Sequence, residues 1–125
     1  MQTPRALIVD DSEISRLLIA AILHRNYPAW EVVEAAAAAA ALRVLGGEGG
    51  RFDALFVDLT LPGVGGLELA RRARQLLPGA SICLLTSNPA DTLRQGAQRI
   101  GVDLLRKPIK EEAVVEYLVP LSGRD

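Results

Sequence analysis

The sequence predicts an α/β fold in which five parallel strands form one sheet with helices on both faces. Short apolar runs alternate five times with segments whose apolar residues recur at helical spacing. The runs are nearly continuous in apolar residues, which is typical of strands buried on both faces of a parallel sheet. Strands that alternate with helices are joined by right-handed crossovers, which place helices on both sides of the sheet.

Five short runs are the predicted strands of this sheet. They are Ala6–Val9, Trp30–Glu34, Phe52–Leu59, Ser81–Leu85 and Val102–Arg106. The second of them is predicted to lie at an edge of the sheet. In sheets of this kind, ligands bind outside the carboxyl ends of the strands, so a functional site is expected there.

The first two helices are predicted from apolar spacing and from residues that start or stop helices. The first has Ser12 as its N-cap and ends at Tyr27-Pro28. Its apolar residues at helical spacing are Ile14, Leu17, Leu18, Ala21 and Ile22. The second helix, Ala35–Leu45, is rich in alanine, the residue with the best helix propensity, and stops at Gly46-Gly47.

The last three predicted helices follow the third, fourth and fifth strands. Their markers are Leu69, Ala73 and Leu76, closed by Pro78-Gly79; then Leu93, Ala97 and Ile100; then Val114, Tyr117, Leu118 and Leu121. The fourth helix has only a thin apolar stripe. Pro120 is expected to limit the fifth helix, because proline lacks the N–H that a helix interior needs.

Length and composition fit one globular domain and argue against several function classes. The 125 residues are expected to form a single domain, 1–125, with 121–125 as a tail or the start of a linker. The 14 Lys and Arg against 15 Asp and Glu argue against direct nucleic-acid binding, and no polybasic segment suits a membrane. The apolar runs are too short to span a bilayer. The single cysteine, Cys83, excludes a disulfide framework and favours a reducing, cytoplasmic location.

Five polar residues end or follow four of the predicted strands. Asp10 and Asp11 follow the first, Asp58 lies at the end of the third, Thr86 follows the fourth and Lys107 follows the fifth. Because the carboxyl ends of parallel strands share one edge, we expect all five side chains there. Three carboxylates would repel one another unless a cation lay between them, and oxygen ligands without nearby His or Cys suit Mg²⁺.

The same residues indicate phosphoryl chemistry at that edge. A magnesium ion held by few carboxylates keeps several waters and shares oxygens with a phosphate. Lys107 supplies a positive charge for a further phosphate oxygen, and Thr86 supplies a hydroxyl for another. A carboxylate can attack phosphorus and form an acyl phosphate while a metal and a lysine stabilise the transferred group. The residues alone leave open which carboxylate is the nucleophile.

Four short motifs resemble those of the receiver domains of two-component response regulators. They are Val9-Asp10-Asp11-Ser12, Asp58 with Pro62 and Gly66 after it, Leu85-Thr86-Ser87, and Lys107-Pro108. Each motif alone is weak, but all four occur in order, each at a strand end, with family-like spacing. The resemblance covers Arg5 to about Pro120 and implies a flavodoxin-like, doubly wound sheet with strand order 2-1-3-4-5.

The resemblance implies a phospho-acceptor and a set of metal ligands. Asp58 would accept the phosphoryl group. Asp11 and Asp58 would bind Mg²⁺ directly, together with the backbone carbonyl of Thr60. Asp10 would act mainly through a metal-bound water.

The resemblance also implies a switch next to the acceptor. Lys107 would contact the phosphoryl group, Thr86 would move toward it on phosphorylation, and the peptide bond before Pro108 is often cis in the family. An aromatic residue that moves with the threonine usually stands three positions before the lysine. Leu104 stands there in this chain, which puts that coupling in doubt.

The function that the resemblance implies is a phosphorylation-controlled signalling switch rather than a turnover enzyme. A histidine kinase or a histidine phosphotransfer protein would donate to Asp58. The domain itself would catalyse only that transfer and its own dephosphorylation. The surface formed by the fourth helix, fifth strand and fifth helix would change on phosphorylation and could form a homodimer.

Two other functions are weighed against the switch. An aspartyl-nucleophile phosphatase would need a second aspartate two positions after the nucleophile, but Thr60 and Ser12 occupy the positions after Asp58 and Asp10. A phosphorylation-independent interaction module of the same fold is favoured by Leu104 alone and opposed by the complete set of polar residues.

Overall fold

Five strands alternate with five helices in the computed structural model, which describes residues 3–47 and 50–122. The elements are β1 Arg5–Val9, α1 Glu13–Asn26, β2 Glu31–Ala35, α2 Ala38–Gly46, β3 Ala54–Asp58, α3 Gly66–Leu76, β4 Ser81–Thr86, α4 Asp91–Ile100, β5 Asp103–Arg106 and α5 Glu111–Ser122. Every predicted strand and helix is present, with ends that differ by a few residues from the sequence-based bounds.

The strands form one parallel sheet in the order β2-β1-β3-β4-β5. This order confirms the implied topology, and β2 lies at an edge as predicted. The direction of the connections reverses between β1 and β3, which are neighbours at the centre of the sheet. In open α/β sheets such a reversal opens a crevice at the carboxyl ends of the two strands.

Alternate residues of the central strands enter two separate hydrophobic cores. Leu7 and Leu55 face the core formed with α2, α3 and α4, whereas Ile8 and Phe56 face the core formed with α1 and α5. Successive side chains of a strand point to opposite faces, so helices on both sides bury nearly every residue of the central strands β1, β3 and β4. β3 is buried along its whole length, which fixes the strand that carries Asp58.

The buried face of α1 matches the stripe that the sequence spacing marked only at Ile22. Ile14, Leu17 and Leu18 are 79%, 55% and 43% exposed. The residues that pack against the sheet are Ile19, Ala20, Ile22 and Leu23. This helix carries apolar residues on several of its sides, so helical spacing alone marks more than one possible buried stripe. Packing against the sheet determines which stripe is buried. The Ser12 cap is confirmed, since its hydroxyl accepts a hydrogen bond from the Ser15 N–H at 3.2 Å.

Two predicted helix boundaries were wrong. Helix α2 begins at Ala38 because Ala35 is the last residue of β2, paired with Val9. Helix α5 continues through Pro120 to Ser122 rather than stopping at the proline. Pro120 is exposed near the end of the helix, where water can bond the carbonyl that loses its helical partner. Of the predicted tail, 121 and 122 belong to α5, and 123–125 lie outside the described residues.

Within residues 3–47 and 50–122, none of the helices combines the length and the apolar character that a membrane crossing requires.

Candidate functional site

Three carboxylates meet at the carboxyl ends of the two central strands. Asp10 and Asp11 follow β1, and Asp58 is the last residue of β3. One carboxylate oxygen from each lies within 4.8 Å of the others. Asp10 and Asp58 are buried, whereas Asp11 is exposed. The strand-end argument from the sequence therefore placed these three residues correctly.

Every polar group of Asp10 is engaged in a hydrogen bond. Its N–H donates to the Ala35 carbonyl at 3.1 Å, and its carbonyl accepts from Arg16 Nη1 at 2.7 Å. Its Oδ1 accepts from the Ser12 N–H at 2.9 Å, and its Oδ2 accepts from Lys107 Nζ at 3.1 Å. A buried carboxylate needs such partners, because burying an unpaired charge is costly. Asp10 is thus fixed in place by four different residues.

One oxygen of the Asp58 carboxylate contacts the Lys107 ammonium group, and the other accepts a hydrogen bond from a hydroxyl group. Its Oδ1 lies 2.9 Å from Lys107 Nζ, and its Oδ2 accepts a hydrogen bond from Thr60 Oγ1 at 3.3 Å. The chain turns away sharply after Asp58, and Gly66 makes that turn feasible. A Cβ at Gly66 would collide with the Asp58 carbonyl oxygen and lie 2.6 Å from Leu59 Cα. The absence of a side chain there allows α3 to begin close to the carboxylate.

Lys107 joins the two buried carboxylates through a single ammonium group. Its residue follows β5, and its side chain crosses the edge of the sheet to reach Asp10 and Asp58. Partial burial lowers the pKa of Lys107, but the hydrogen bonds and the attraction from Asp58 and Asp10 outweigh it and raise the pKa overall. The ammonium therefore stays charged at neutral pH. The peptide bond between Lys107 and Pro108 is cis.

The donor set fits a hard divalent cation such as Mg²⁺. It consists of carboxylate oxygens from Asp10, Asp11 and Asp58, which carry three negative charges against the one positive charge of Lys107. Small hard cations prefer oxygen ligands and keep several waters. Asp11 is exposed, so water can reach this side of the cluster.

Thr86 and Leu104 lie on the neighbouring strands β4 and β5, which α4 connects. Thr86 ends β4 and is buried, and its hydroxyl accepts a hydrogen bond from the Asn88 N–H at 3.1 Å. Leu104 pairs in register with Leu84 and packs on the core that contains Ala97 of α4. The structure thus brings Asp10, Asp11, Asp58 and Lys107 into one cluster, and it shows Thr86 bonded within its own loop.

Two contacts of the cluster were not expected from the sequence. Arg16 of α1 holds the Asp10 carbonyl, and the Thr60 side chain, not only its backbone, points at Asp58. The signal for Arg16 was its position one helical turn after the Ser12 cap, from which a long side chain can reach back to the loop. The Thr60 contact depends on the course of the loop after Asp58, which the sequence pattern does not specify.

Comparisons with known proteins agree with this arrangement. The family model for the response regulator receiver domain matches residues 6–119. A response regulator receiver protein of Anaeromyxobacter is 33% identical over 90% of this chain, and the match covers 46% of that protein. The chain therefore spans less than half the length of that relative.

Solved structures show the same fold. A CheY-like receiver domain protein from Methanospirillum hungatei has a TM-score of 0.86 and 26% identity, covering 98% of this chain and 95% of that one. A response regulator from Burkholderia pseudomallei, solved with a phosphorylated aspartic acid, a calcium ion and citrate, has a TM-score of 0.82 and 28% identity. That match covers 96% of this chain and 69% of the other. The strand order, the carboxylate cluster and the family match over most of the chain together establish that it belongs to the family of response regulator receiver domains.

Proposed function

We propose that this chain is a signalling switch in which Asp58 accepts a phosphoryl group from a phosphohistidine in a Mg²⁺-dependent reaction. The donor is a histidine kinase or a histidine phosphotransfer protein. The observation that carries the proposal is the cluster of Asp10, Asp11 and Asp58 with Lys107 between the two buried carboxylates. A solved relative with a phosphorylated aspartic acid and a calcium ion supports it.

In the proposed reaction, a carboxylate oxygen of Asp58 attacks the phosphorus atom. The P–N bond to the donor imidazole breaks, its electron pair stays on the nitrogen, and an acyl phosphate forms. Lys107 Nζ, which lies 2.9 Å from Asp58 Oδ1, would bond an oxygen of the transferred group. The domain catalyses this transfer and its own slow dephosphorylation, and no turnover of a small substrate is proposed.

Asp11, Asp58 and the backbone carbonyl of Thr60 would hold the Mg²⁺ ion directly. Both side-chain oxygens of Asp10 already accept hydrogen bonds, which supports an indirect role for it through a metal-bound water. When bound, the metal offsets the negative charge of the carboxylates and of the phosphoryl oxygens. The exposed Asp11 is the carboxylate of the cluster with most freedom to take up a new ligand.

The exposed apolar residues of α1 suit the surface of the phosphodonor. Ile14, Leu17 and Leu18 lie in the first turns of the helix that begins just after Asp10 and Asp11. Histidine phosphotransfer proteins are helix bundles, and a helix packs well on an apolar stripe next to the reacting groups. A donor seated on this stripe, the α1 patch, would bring its phosphohistidine to Asp58. We place the reaction in the cytoplasm, in keeping with the unpaired Cys83.

The output of the switch is proposed to be the surface formed by α4, β5 and α5. Thr86 would leave Asn88 to bond the phosphoryl group, and α4, which buries only Ala97 fully, would shift with it. Leu104 stands in place of an aromatic residue and would move less than an aromatic ring does. The conformational change on phosphorylation would then be mainly a shift of α4. Any output domain would belong to a longer protein of the kind that the relatives represent.

The same surface is proposed to form a homodimer in the phosphorylated state. Arg94 and Arg99 are exposed on α4, and Glu112 and Glu116 are exposed on α5. A twofold axis through this surface can pair the basic helix of one copy with the acidic helix of the other. Sedimentation of the phosphorylated chain as a monomer at all concentrations would rule the dimer out.

Mass spectrometry after incubation with acetyl phosphate and Mg²⁺ tests the switch itself. We expect one labile phosphate on the wild type and none on Asp58→Asn or in the presence of a chelator. Asp103→Asn is the matched control, because Asp103 is exposed at the opposite end of the sheet, and it should label as the wild type does. A wild-type chain that stays unlabelled would favour the phosphorylation-independent module instead.

A further inference from the structure

We propose that Arg16 is a positioning residue that fixes the peptide between Asp10 and Asp11 and so holds the Asp11 carboxylate in the metal site. The inference rests on the proposed function, since it concerns the binding of Mg²⁺ by that cluster. Arg16 is a cation and is not a member of the carboxylate cluster, so neither property suggests that it supports metal binding.

The Arg16 side chain is held at two points. Its Nη1 donates to the Asp10 carbonyl at 2.7 Å, and its Nε donates to Glu34 Oε1 of the edge strand β2 at 3.1 Å. The Arg16 side chain is only 15% exposed, against 37% for Glu34. Its backbone is also fixed, because the Arg16 N–H donates to the carbonyl of the helix cap Ser12 at 3.1 Å. The guanidinium is therefore a rigid link between the β1–α1 loop and the edge of the sheet.

The position of Asp11 depends on that link. The Asp10 carbonyl and the Asp11 N–H belong to one planar peptide group, so a bond to the carbonyl fixes the plane from which Asp11 emerges. The Asp10 side chain is held independently by Ser12 and Lys107. Among the described residues the Asp11 side chain has no hydrogen-bond or ion-pair partner, although its carboxylate lies in the cluster. Backbone geometry is thus what points Asp11 at the metal.

Charge and positioning predict opposite effects when Arg16 is removed. The Arg16 guanidinium carries a positive charge near the carboxylate cluster, so its electric field alone repels a divalent cation. Loss of the charge would then tighten Mg²⁺ binding. Loss of the link to the Asp10 carbonyl would let the Asp11 peptide rotate and would weaken Mg²⁺ binding. The sign of the change in affinity therefore separates the two roles.

Isothermal titration calorimetry of the unphosphorylated chain with MgCl₂ measures that sign directly. We expect Arg16→Met to weaken Mg²⁺ binding by about tenfold, the low end of the loss seen when residues that orient metal ligands are removed. Arg16→Lys keeps the charge and one donor that can reach the carbonyl, so it should restore part of the affinity. Glu34→Gln keeps the bond to the Asp10 carbonyl and should stay within about twofold of the wild type.

Arg74→Met is the matched control for a general loss of stability. Arg74 also holds backbone carbonyls, those of Leu77, Pro78, Ala80 and Gly101, but at the opposite end of the sheet. We expect Arg74→Met to lower the melting temperature and to leave the Mg²⁺ dissociation constant unchanged. Melting curves confirm that each variant is folded at the titration temperature, and Arg16→Lys carries the test if Arg16→Met is not folded.

Two results would overturn the inference, and they are distinguishable from each other. A wild type that binds Mg²⁺ while Arg16→Met and Arg16→Lys bind it equally well or more tightly would refute the positioning role alone. A wild type that does not bind Mg²⁺ would refute the proposed metal site and this inference with it.

Discussion

Lys107 supplies a positive charge to a cluster of three carboxylates, and its ammonium group contacts two of them. The Nζ atom lies 2.9 Å from Asp58 Oδ1 and 3.1 Å from Asp10 Oδ2. In the metal-free chain, the lysine therefore balances part of the charge that a divalent cation would balance when bound. A phosphoryl group on Asp58 would add negative charge at the same place, and the Lys107 ammonium group would then contact a phosphoryl oxygen.

Replacing Lys107 with Met should destabilise the metal-free chain and increase its response to Mg²⁺. Removing one partner leaves buried carboxylates without a counter-charge, and we expect a loss of about 2 kcal/mol, discounted because the Lys107 side chain is 25% exposed. Mg²⁺ can replace the missing charge, so it should raise the melting temperature more in the variant than in the wild type. Thermal unfolding with and without Mg²⁺ measures both effects.

The stability that Lys107 contributes to the metal-free chain should fall at high pH. The folded-state pKa of Lys107 is raised above its ordinary value of 10.5, so its stabilising effect is fully present below that pH. It is lost as the pH rises through the higher folded-state pKa. Lys110→Met, on the exposed end of the same loop, is the matched control and should match the wild type. An equal Mg²⁺ response in the two variants would contradict the role of Lys107 as the counter-charge.

The positions of the polar residues were predictable from the sequence, but most of their contacts were not. Asp10, Asp58 and Lys107 were placed at one edge by the order of strands and helices alone, because parallel strands end together. The bond from Arg16 to the Asp10 carbonyl depends on the path of a loop and on a rotamer. Neither leaves a periodic signal in the chain.

Helix α4 is attached to the fold mainly at its C-terminal end. Ala97 is its one fully buried residue among the ten, and the left-handed Gly101 closes the helix through N–H bonds to Ala97 and Gln98. Arg74 Nη2 donates to the Gly101 carbonyl at 2.8 Å and ties this end to the turn after α3. Near the N-terminal end, only Leu93 packs against the core among the described residues of α4, and it is only partly buried. This asymmetry suits a helix that moves at the end next to the site.

Gly96→Ala should stabilise the chain and make α4 more rigid. Glycine inside a helix costs about 0.5–1 kcal/mol relative to alanine. A Cβ at Gly96 would meet Leu67 Cδ2 at 3.8 Å, which is ordinary van der Waals contact, so the full gain is expected. Urea unfolding measures the stability, and hydrogen exchange should show slower exchange in α4.

Gly66→Ala is the control for Gly96→Ala, because the same chemical change should destabilise the chain there. Its Cβ would collide with the Asp58 carbonyl, and we expect a loss of more than about 2 kcal/mol from the same chemical change. If Gly96→Ala were as destabilising as Gly66→Ala, α4 would not have the open environment described above.

The elements themselves were predictable to different degrees. Strands buried on both faces gave clear apolar runs, and their order followed from the family resemblance. For α1, Ile22 of the marked stripe is buried, but Ile14 and Leu18 are exposed, because Ile19 and Leu23 offer an equally apolar alternative on another side of the helix. Only packing against the sheet decides between such stripes, and no local pattern reports it.

At the scale of the whole molecule, helices cover both faces of the sheet, and the carboxylate cluster is accessible from its carboxyl end. α1 and α5 cover one face, and α2, α3 and α4 cover the other, with the carboxylate cluster at the edge between them. The exposed α1 patch and the surface of α4 therefore border the same site from different sides. A donor can occupy the first while the second remains available for output.

Polar substitutions in the α1 patch should slow phosphorylation by a protein donor and leave phosphorylation by a small donor intact. We expect the double change Leu17→Ser and Leu18→Ser to reduce transfer from a phosphorylated histidine phosphotransfer protein by at least about tenfold. The rate with acetyl phosphate and Mg²⁺ should stay within about twofold, because both leucines lie on the exposed surface of α1. Leu76→Ser is the matched control, since Leu76 is 51% exposed on α3 at the other face of the sheet. It should leave both rates unchanged. If the double variant lost both rates equally, the substitutions would have damaged the site itself. If it kept both rates, the donor would bind a surface other than the α1 patch.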